Sequence, residues 1–472
     1  TDTSGSVTCT YQPFGSDGST AAAQIICFLQ SQPSVFTYQN STLSQWNETL
    51  YSQACLNFPC SKSPSKHPLN TSIAAPQCPP TTPPYEVFFM YSQGIAQLGY
   101  ISSGYLTSLN PISFNSTNIL TLNDSIYPMS GVYGLCFSSL TYDSTNSALI
   151  TSVSYVVSGV PSSNFLNFST SSAQPQPPFQ TINLFPNQTN EPVTIPIANS
   201  ISGCIIASNQ TATGDLFYVA LVPAFVSNTN SSNWSLYFIN NNPQIYATFS
   251  VGQNITTYPQ YSTPAISMSS DNTLVSVCCC NTNQVLIYNV NNTELAATIT
   301  TINGPTQAAF TSNNTVYVTG SDGVFTIDTN DPNYTVTPIS GSPVNCQNIV
   351  ITPNGNYAYF NTTSGSLYVI DISSNNQINQ IDFTIETDPS TQTDYTIDHM
   401  IASPDNNFIY IAANPPPKSN YETACPIIYV LLIIENTYIS ILNNPKGGAS
   451  PTYPYPLMIS GVAIVEAQHP SR

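Results

Sequence analysis

The residues of this 472-residue chain best suited to chemistry are carboxylates and cysteines, because it has only three histidines. Glu386, Asp388, Asp394 and Asp398 fall within thirteen residues, and His399 follows at once. Clustered carboxylate oxygens suit calcium, a hard cation that prefers oxygen ligands. The spacing lacks the central glycine of an EF-hand loop, so calcium is the weaker reading and a solvated loop the stronger. Asp328 and Asp331 in IDTNDPN form a second acidic pair and read as turn residues. The run Cys278, Cys279, Cys280 invites a redox or metal role. On a strand, however, Cys278 and Cys280 would share one face and Cys279 the other, which suits ordinary disulfides and a buried thiol better than chelation. There is no GxSxG, no phosphate-cradling Gly-rich loop and no HExxH. With only His67, His399 and His469, imidazole acid–base catalysis has few candidates. The expectation is therefore no enzyme, no catalytic residue, no metal site and no cofactor.

Composition narrows the partners. Charged residues make up 6% of the chain, against about 25% in an ordinary soluble domain. Only five residues are basic against twenty-three acidic, a formal charge of −18. So few cations cannot neutralise a phosphate backbone or hold an anionic lipid surface, which excludes nucleic-acid binding and electrostatic membrane docking. The chain is still 41% hydrophobic, with 29 Tyr and 21 Phe, enough to bury a sizeable core. No run is long enough to span a membrane; the most apolar, Pro426 to Ile434, reads as a buried strand.

The twelve cysteines, an even number, imply an oxidising compartment and a disulfide framework. They are Cys9, Cys27, Cys55, Cys60, Cys78, Cys136, Cys204, Cys278, Cys279, Cys280, Cys346 and Cys425. Connectivity is not legible from spacing. A secretory leader is expected to have been removed. Sequons begin at Asn40, Asn47, Asn70, Asn115, Asn123, Asn167, Asn187, Asn209, Asn230, Asn233, Asn254, Asn291, Asn313, Asn333 and Asn361. Each is an N-glycan acceptor wherever it reaches the surface of a secreted chain. From Asn379 onward there is none.

The elements that must position these groups fall into two parts. Residues 1–84 hold five of the cysteines, helical patterning over TAAAQIICFLQSQ, a capping box at Thr42–Gln45 and a Pro-rich linker. They read as a small disulfide-stapled helical module. Residues 85–472 are strand-like and repetitive. An apolar strand, a tight polar turn and a second strand recur as AISMSSDNTLVSVCC, AAFTSNNTVYVTG, IVITPNGNYAYFN and MIASPDNNFIYIAA. Their turn residues Asp271, Asn313, Asn354 and Asp405 lie 42, 41 and 51 residues apart. A third strand follows in VLIYNVNN, VFTIDTND and LYVIDISSNN, with LYFINNN in an earlier copy. A period near 40 residues with four strands predicts a β-propeller. Seven blades are favoured, at about 55 residues each with insertions, and Leu457 to Val465 closes the ring against the first blade.

The segment TPNGNYAYFNTTSGSLYVIDISSNNQI resembles the YVTN-type β-propeller repeat of archaeal surface-layer and bacterial surface proteins. The resemblance covers residues 260–383 well and extends more weakly to 445. It implies architecture rather than chemistry, because the matching positions hold the fold together.

These readings converge on a structural extracellular surface glycoprotein that assembles with copies of itself into a filament, sheath or surface layer. At neutral pH the charge of −18 opposes close packing. In acid the carboxylates protonate and few cations remain, which points to a low-pH surface. A secreted ligand- or glycan-binding propeller is the alternative, and a propeller hydrolase or lyase the third reading.

Overall fold

In the computed structural model, the structure describes residues 85–93, 104–111, 116–122, 132–143, 148–157, 160–169, 209–210, 216–225, 231–240, 245–256, 265–279, 282–374, 376–388, 393–415, 426–433, 436–442 and 457–466. The expected N-terminal helical module lies outside them. So do Cys204, Cys280 and Cys425. Among the described residues no helix is long and apolar enough to cross a membrane.

Every described element is a strand. In chain order they are β1–β3 (Tyr85–Gln93, Gly104–Leu109, Ser116–Leu122), β4–β6 (Val132–Asp143, Ala148–Val157, Val160–Ser169) and β7–β10 (Asn209–Gln210, Leu216–Phe225, Ser231–Asn240, Ile245–Thr256). The regular repeats supply β11–β14 (Ala265–Met268, Leu274–Cys279, Gln284–Asn289, Glu294–Ile299), β15–β18 (Gln307–Phe310, Thr315–Gly320, Gly323–Asp328, Val336–Pro338) and β19–β22 (Cys346–Ile351, Tyr357–Thr362, Leu367–Asp371, Gln377–Gln380). A two-stranded ribbon, β23–β24 (Thr387–Asp388, Thr393–Asp394), precedes β25–β28 (Thr396–Ala402, Phe408–Asn414, Ile427–Leu432, Thr437–Leu442) and the last strand, β29 (Leu457–Glu466). Each set makes its own sheet in sequence order, with β4–β6 three-stranded. The exception is β29, which joins β1–β3 as the fourth strand beside β1. The expected closure of the last strand onto the first sheet is thus observed, and it leaves β1 no free edge.

Each repeated sheet is buried on both faces, which explains why its central strands are continuously apolar. Successive side chains alternate between faces. From β12 and β13, Val275, Val277, Cys279, Leu286 and Tyr288 pack against β8–β10 through Val219, Leu236, Phe238 and Val251. Cys278, Val285 and Ile287 point the other way, onto Ala308, Val316, Val318 and Ile327 of the β15–β18 sheet. Tyr317 and Val324 of that sheet meet Ile349, Ala358, Phe360 and Ile370 of β19–β22. Tyr359, Leu367 and Val369 then meet Ile409, Ile411, Ile427, Tyr429 and Leu431 of β25–β28. Each of these four interfaces between consecutive sheets is a separate hydrophobic core. A fully buried Leu, Ile or Phe contributes on the order of 2 kcal/mol to such a core.

The hairpin turns between the first and second strands share one design. The hydroxyl of Ser269, Thr311, Thr352 or Ser403 donates to the side-chain oxygen two residues on, that of Asp271, Asn313, Asn354 or Asp405, at 2.6, 2.6, 2.7 and 2.5 Å. The residue after each acceptor takes positive φ: Asn272 (62°), Asn314 (61°), Gly355 (73°) and Asn406 (60°). Asn and Gly reach this region at least cost, so the repeat spells its turn with them. The left-handed residue is thus the one following the aspartate or asparagine from which the period was measured.

Candidate functional site

The first strands of successive sheets, β11, β15, β19 and β25, adjoin one another. Around these inner strands the described residues form a polar network that joins neighbouring sheets. The Thr306 hydroxyl lies within hydrogen-bond reach of the carbonyls of Cys346 (3.0 Å) and Gln347 (2.9 Å), sharing one proton between them, and Thr319 donates to Gln347 O. Gln307 Oε1 accepts the Ile349 N–H at 2.9 Å. One sheet on, Asn348 Nδ2 donates to Ile397 O at 2.7 Å. Asn361 Oδ1 accepts from both the backbone N–H and Nδ2 of Asn348, at 3.2 and 3.1 Å. One sheet further, Asn414 accepts the Ile459 N–H at 2.7 Å and donates to Ile459 O at 2.9 Å, tying β26 to the closing strand β29.

Local structure explains why amides do this work. Register shifts between Cys346 and Ile349 and between Ile397 and His399 each insert one extra residue into an inner strand. Such bulges interrupt the ladder and leave backbone groups without a strand partner. A carboxamide offers both a donor and an acceptor, so Asn and Gln can stand in for a missing peptide.

Electrostatics single out Asp398 and His399 on β25. Dehydration pushes the Asp398 carboxyl up to about 6, although Asn414 Nδ2, 2.6 Å from Oδ2, favours its charged form. Dehydration pulls the His399 imidazole down to about 4, so it is neutral at physiological pH. Asn414 Nδ2 gives one hydrogen to Asp398 Oδ2 and the other to Ile459 O, so the amide that holds the carboxyl also holds the closing strand.

The remaining predicted residues are placed as follows. Glu386 and Asp394 are exposed, and Thr387–Asp388 pairs with Thr393–Asp394 in the β23–β24 ribbon. Asp398 instead sits in the inner-strand network. The four carboxylates weighed as weak calcium candidates thus fall on two elements, Glu386, Asp388 and Asp394 in or beside the ribbon and Asp398 on β25. Among the described residues no three His, Cys, Asp or Glu side chains converge on a metal position. Asp328 and Asp331 accept turn N–H groups from Asn330 and Asn333, at 2.9 and 3.0 Å.

Cys278 and Cys279 are buried on opposite faces of β12, and Cys279 Sγ lies 3.6 Å from Val251 O. Cys346 has no disulfide partner among the described residues. Its thiol lies 3.1 Å from Pro343 O, and burial pushes it up to about 12, so it is an inert thiol rather than a nucleophile. Of the sequons whose side chains are described, Asn291, Asn313 and Asn333 are exposed. Asn361 is withdrawn as a glycan acceptor: it is 1% exposed, and its Nδ2 donates to Thr362 O and Gln347 Oε1.

Sequence reasoning missed a second set of links. Tyr317 and Tyr359 are each the third residue of their sheet's second strand. Their hydroxyls reach the next sheet, bonding Asn376 Oδ1 at 2.5 Å and Asn436 Oδ1 at 3.3 Å. The signal was available: both tyrosines hold the same register in the repeat, and Tyr410 holds it in β26.

No protein-family model matches the chain, and no curated protein sequence matches it. Solved structures do. A candidate 6-phosphogluconolactonase from Bacteroides uniformis aligns over 81% of this chain and 99% of its own, with a TM-score of 0.51 and 11% identity. A second, from Bacteroides fragilis, covers 82% of this chain and 100% of its own, with a TM-score of 0.47 and 12% identity. A protein of unknown function from Desulfotomaculum acetoxidans covers 81% and 99%, at 0.47 and 13%. At 11% identity the first likeness concerns fold alone. With the stacked four-stranded sheets it places the strand-rich part of this chain among the β-propellers.

Proposed function

We propose that this protein is a structural extracellular glycoprotein, a seven-bladed propeller that assembles with copies of itself into a filament, sheath or surface layer. The observation that carries the reading is how the inner-strand amides are used. Gln307, Asn348 and Asn414 bond to the neighbouring sheet rather than standing ready for a substrate. Polar groups satisfied within the protein stiffen a scaffold and leave little for chemistry. The low charge suits dense packing, and the exposed Asn291, Asn313 and Asn333 are where sugar would keep the outside wet. Negative-stain imaging of native material, with sedimentation from acid to neutral pH, tests the reading. Polymers or a lattice support it; a monomer at every pH and concentration ends it.

A propeller hydrolase is the second reading, favoured by the dehydrated Asp398–His399 pair on an inner strand. Lactone hydrolysis by the purified protein that Asp398→Asn abolishes would support it, and absence of turnover on a panel of lactones and esters would count against it.

A further inference from the structure

The chain contains two Asn–Gly peptides, Asn303–Gly304 and Asn354–Gly355. Such a pair is chemically labile because glycine leaves its own backbone nitrogen unshielded against the neighbouring side-chain amide. Both asparagines are exposed, but their surroundings differ. Asn354 Oδ1 accepts two hydrogen bonds, from Thr352 Oγ1 at 2.7 Å and from the Asn356 N–H at 3.0 Å. Asn303 has the opposite arrangement: its Nδ2 donates to the Asp322 carboxylate. Donors on a carbonyl oxygen stabilise the negative charge that develops there under attack, whereas a nearby carboxylate opposes it.

We propose that Asn354 is a site of spontaneous deamidation in the folded protein, converted ahead of Asn303. The Gly355 nitrogen gives up its proton to hydroxide and attacks Asn354 Cγ. The Cγ–Nδ2 bond breaks and ammonia leaves, which closes a five-membered succinimide. Water then opens the ring at either carbonyl, giving aspartate or isoaspartate, so the net change is one water consumed and one ammonia released. The Gly355 N–H donates to Thr352 O at 2.8 Å and the Gly304 N–H to Asn283 Oδ1 at 2.9 Å, so at both sites that one bond must break before attack and the folded protein reacts more slowly than the unfolded chain, while the donors on Asn354 Oδ1 stay in place.

The sister turns show what each product does. Asp271 and Asp405 occupy the position of Asn354, so aspartate fits the turn. Isoaspartate lengthens the backbone by one atom and displaces the Asn354 N–H from Asn406 Oδ1, a 2.8 Å link to the next sheet. The sister turns also supply the resistant variant. They carry Asn272, Asn314 and Asn406 where Asn354 is followed by Gly355. A Cβ at Gly355 would meet only Ser312 Oγ, at 3.8 Å.

The test incubates the full chain at mildly alkaline pH, native and in denaturant, and follows both sites by peptide mass mapping. In denaturant the two sites should convert at comparable rates. In native protein Asn354 should convert about tenfold faster than Asn303, the worth of one hydrogen bond to the developing oxyanion. Gly355→Asn should stop the loss at Asn354 with an unchanged melting temperature. Three results would overturn the proposal: Asn303 keeping pace with Asn354 in native protein, native Asn354 intact when the denatured chain is fully converted, or Gly355→Asn converting at the wild-type rate.

Discussion

The two ends of each repeated sheet are built on different principles. At the turn end, a hydroxyl, an Asx oxygen and the backbone close on one another within five residues, as in Ser269, Asp271 and Leu274. At the inner-strand end, the bonds join residues far apart in sequence: 42 positions for Gln307 and Ile349, 49 for Asn348 and Ile397, 45 for Asn414 and Ile459. The turn end closes on its own residues and adds single links to the next sheet, Asn314 to Asp271 and Asn354 to Asn406, whereas the inner network exists only once neighbouring sheets are stacked. Damage to a turn should therefore be repaired locally, and damage to the inner network should loosen one sheet from the next.

The largest effect should come from Asn414, which is 1% exposed and bonds both β29 and Asp398. Asn414→Ala leaves a half-buried carboxylate and two backbone groups without that partner, at a cost of about 2 kcal/mol in chemical denaturation. A loss below about 1 kcal/mol would mean that water replaces the amide, and the contrast between the two ends would fail. Asn348→Ala should cost about 2 kcal/mol, since the Ile397 carbonyl and the Asn361 oxygen both lose a donor.

Asp398 and His399 sharpen the comparison through pH. The folded carboxyl of Asp398 binds its proton more tightly than an unfolded one, so its contribution is fully present below about 4 and is lost as pH rises through about 6. His399 has the reverse sign: the fold disfavours its protonation, so its contribution is present above about 6.5 and is lost as pH falls through about 4. The windows overlap and the slopes oppose, so in the wild type they largely offset. Asp398→Asn should unmask the histidine, and its urea midpoint should fall more steeply than wild type between pH 6 and 4. Parallel profiles for the two proteins would show that Asp398 does not titrate there.

The smallest effects belong to the turns. Thr352→Val removes one hydroxyl and should cost about 1 kcal/mol. Asp405→Asn should fall within about 0.5 kcal/mol of wild type, because Asn313 and Asn354 fill the same role in sister turns. A loss of several kcal/mol from Asp405→Asn would show that turn chemistry is not interchangeable between sheets.

Much of this architecture was legible before any coordinates. The 42- and 41-residue spacing of the turns, the apolar strand runs and the closing role of Leu457 to Val465 all reappear in the sheets. They were readable because strand alternation and turn chemistry are local, and a repeated local pattern reinforces itself along the chain. The acidic run from Glu386 to Asp398 shows the converse. Nearness in sequence suggested one loop, but the ribbon and the inner strand divide Glu386 and Asp394 from Asp398.

By itself, then, the sequence determined the strands, their grouping into repeated sheets and the turn at each hairpin, since each depends on residues within a few positions of one another. It also set an expectation about partners, because so few cations disfavour polyanions. Only the tertiary structure decided that Asn361 is buried rather than a glycan acceptor, that Tyr317 and Tyr359 fasten neighbouring sheets, and that Asn414 latches the closing strand. An asparagine or a tyrosine has no fixed role in one dimension: its partner lies a whole sheet away, and only stacking brings the two within hydrogen-bond reach.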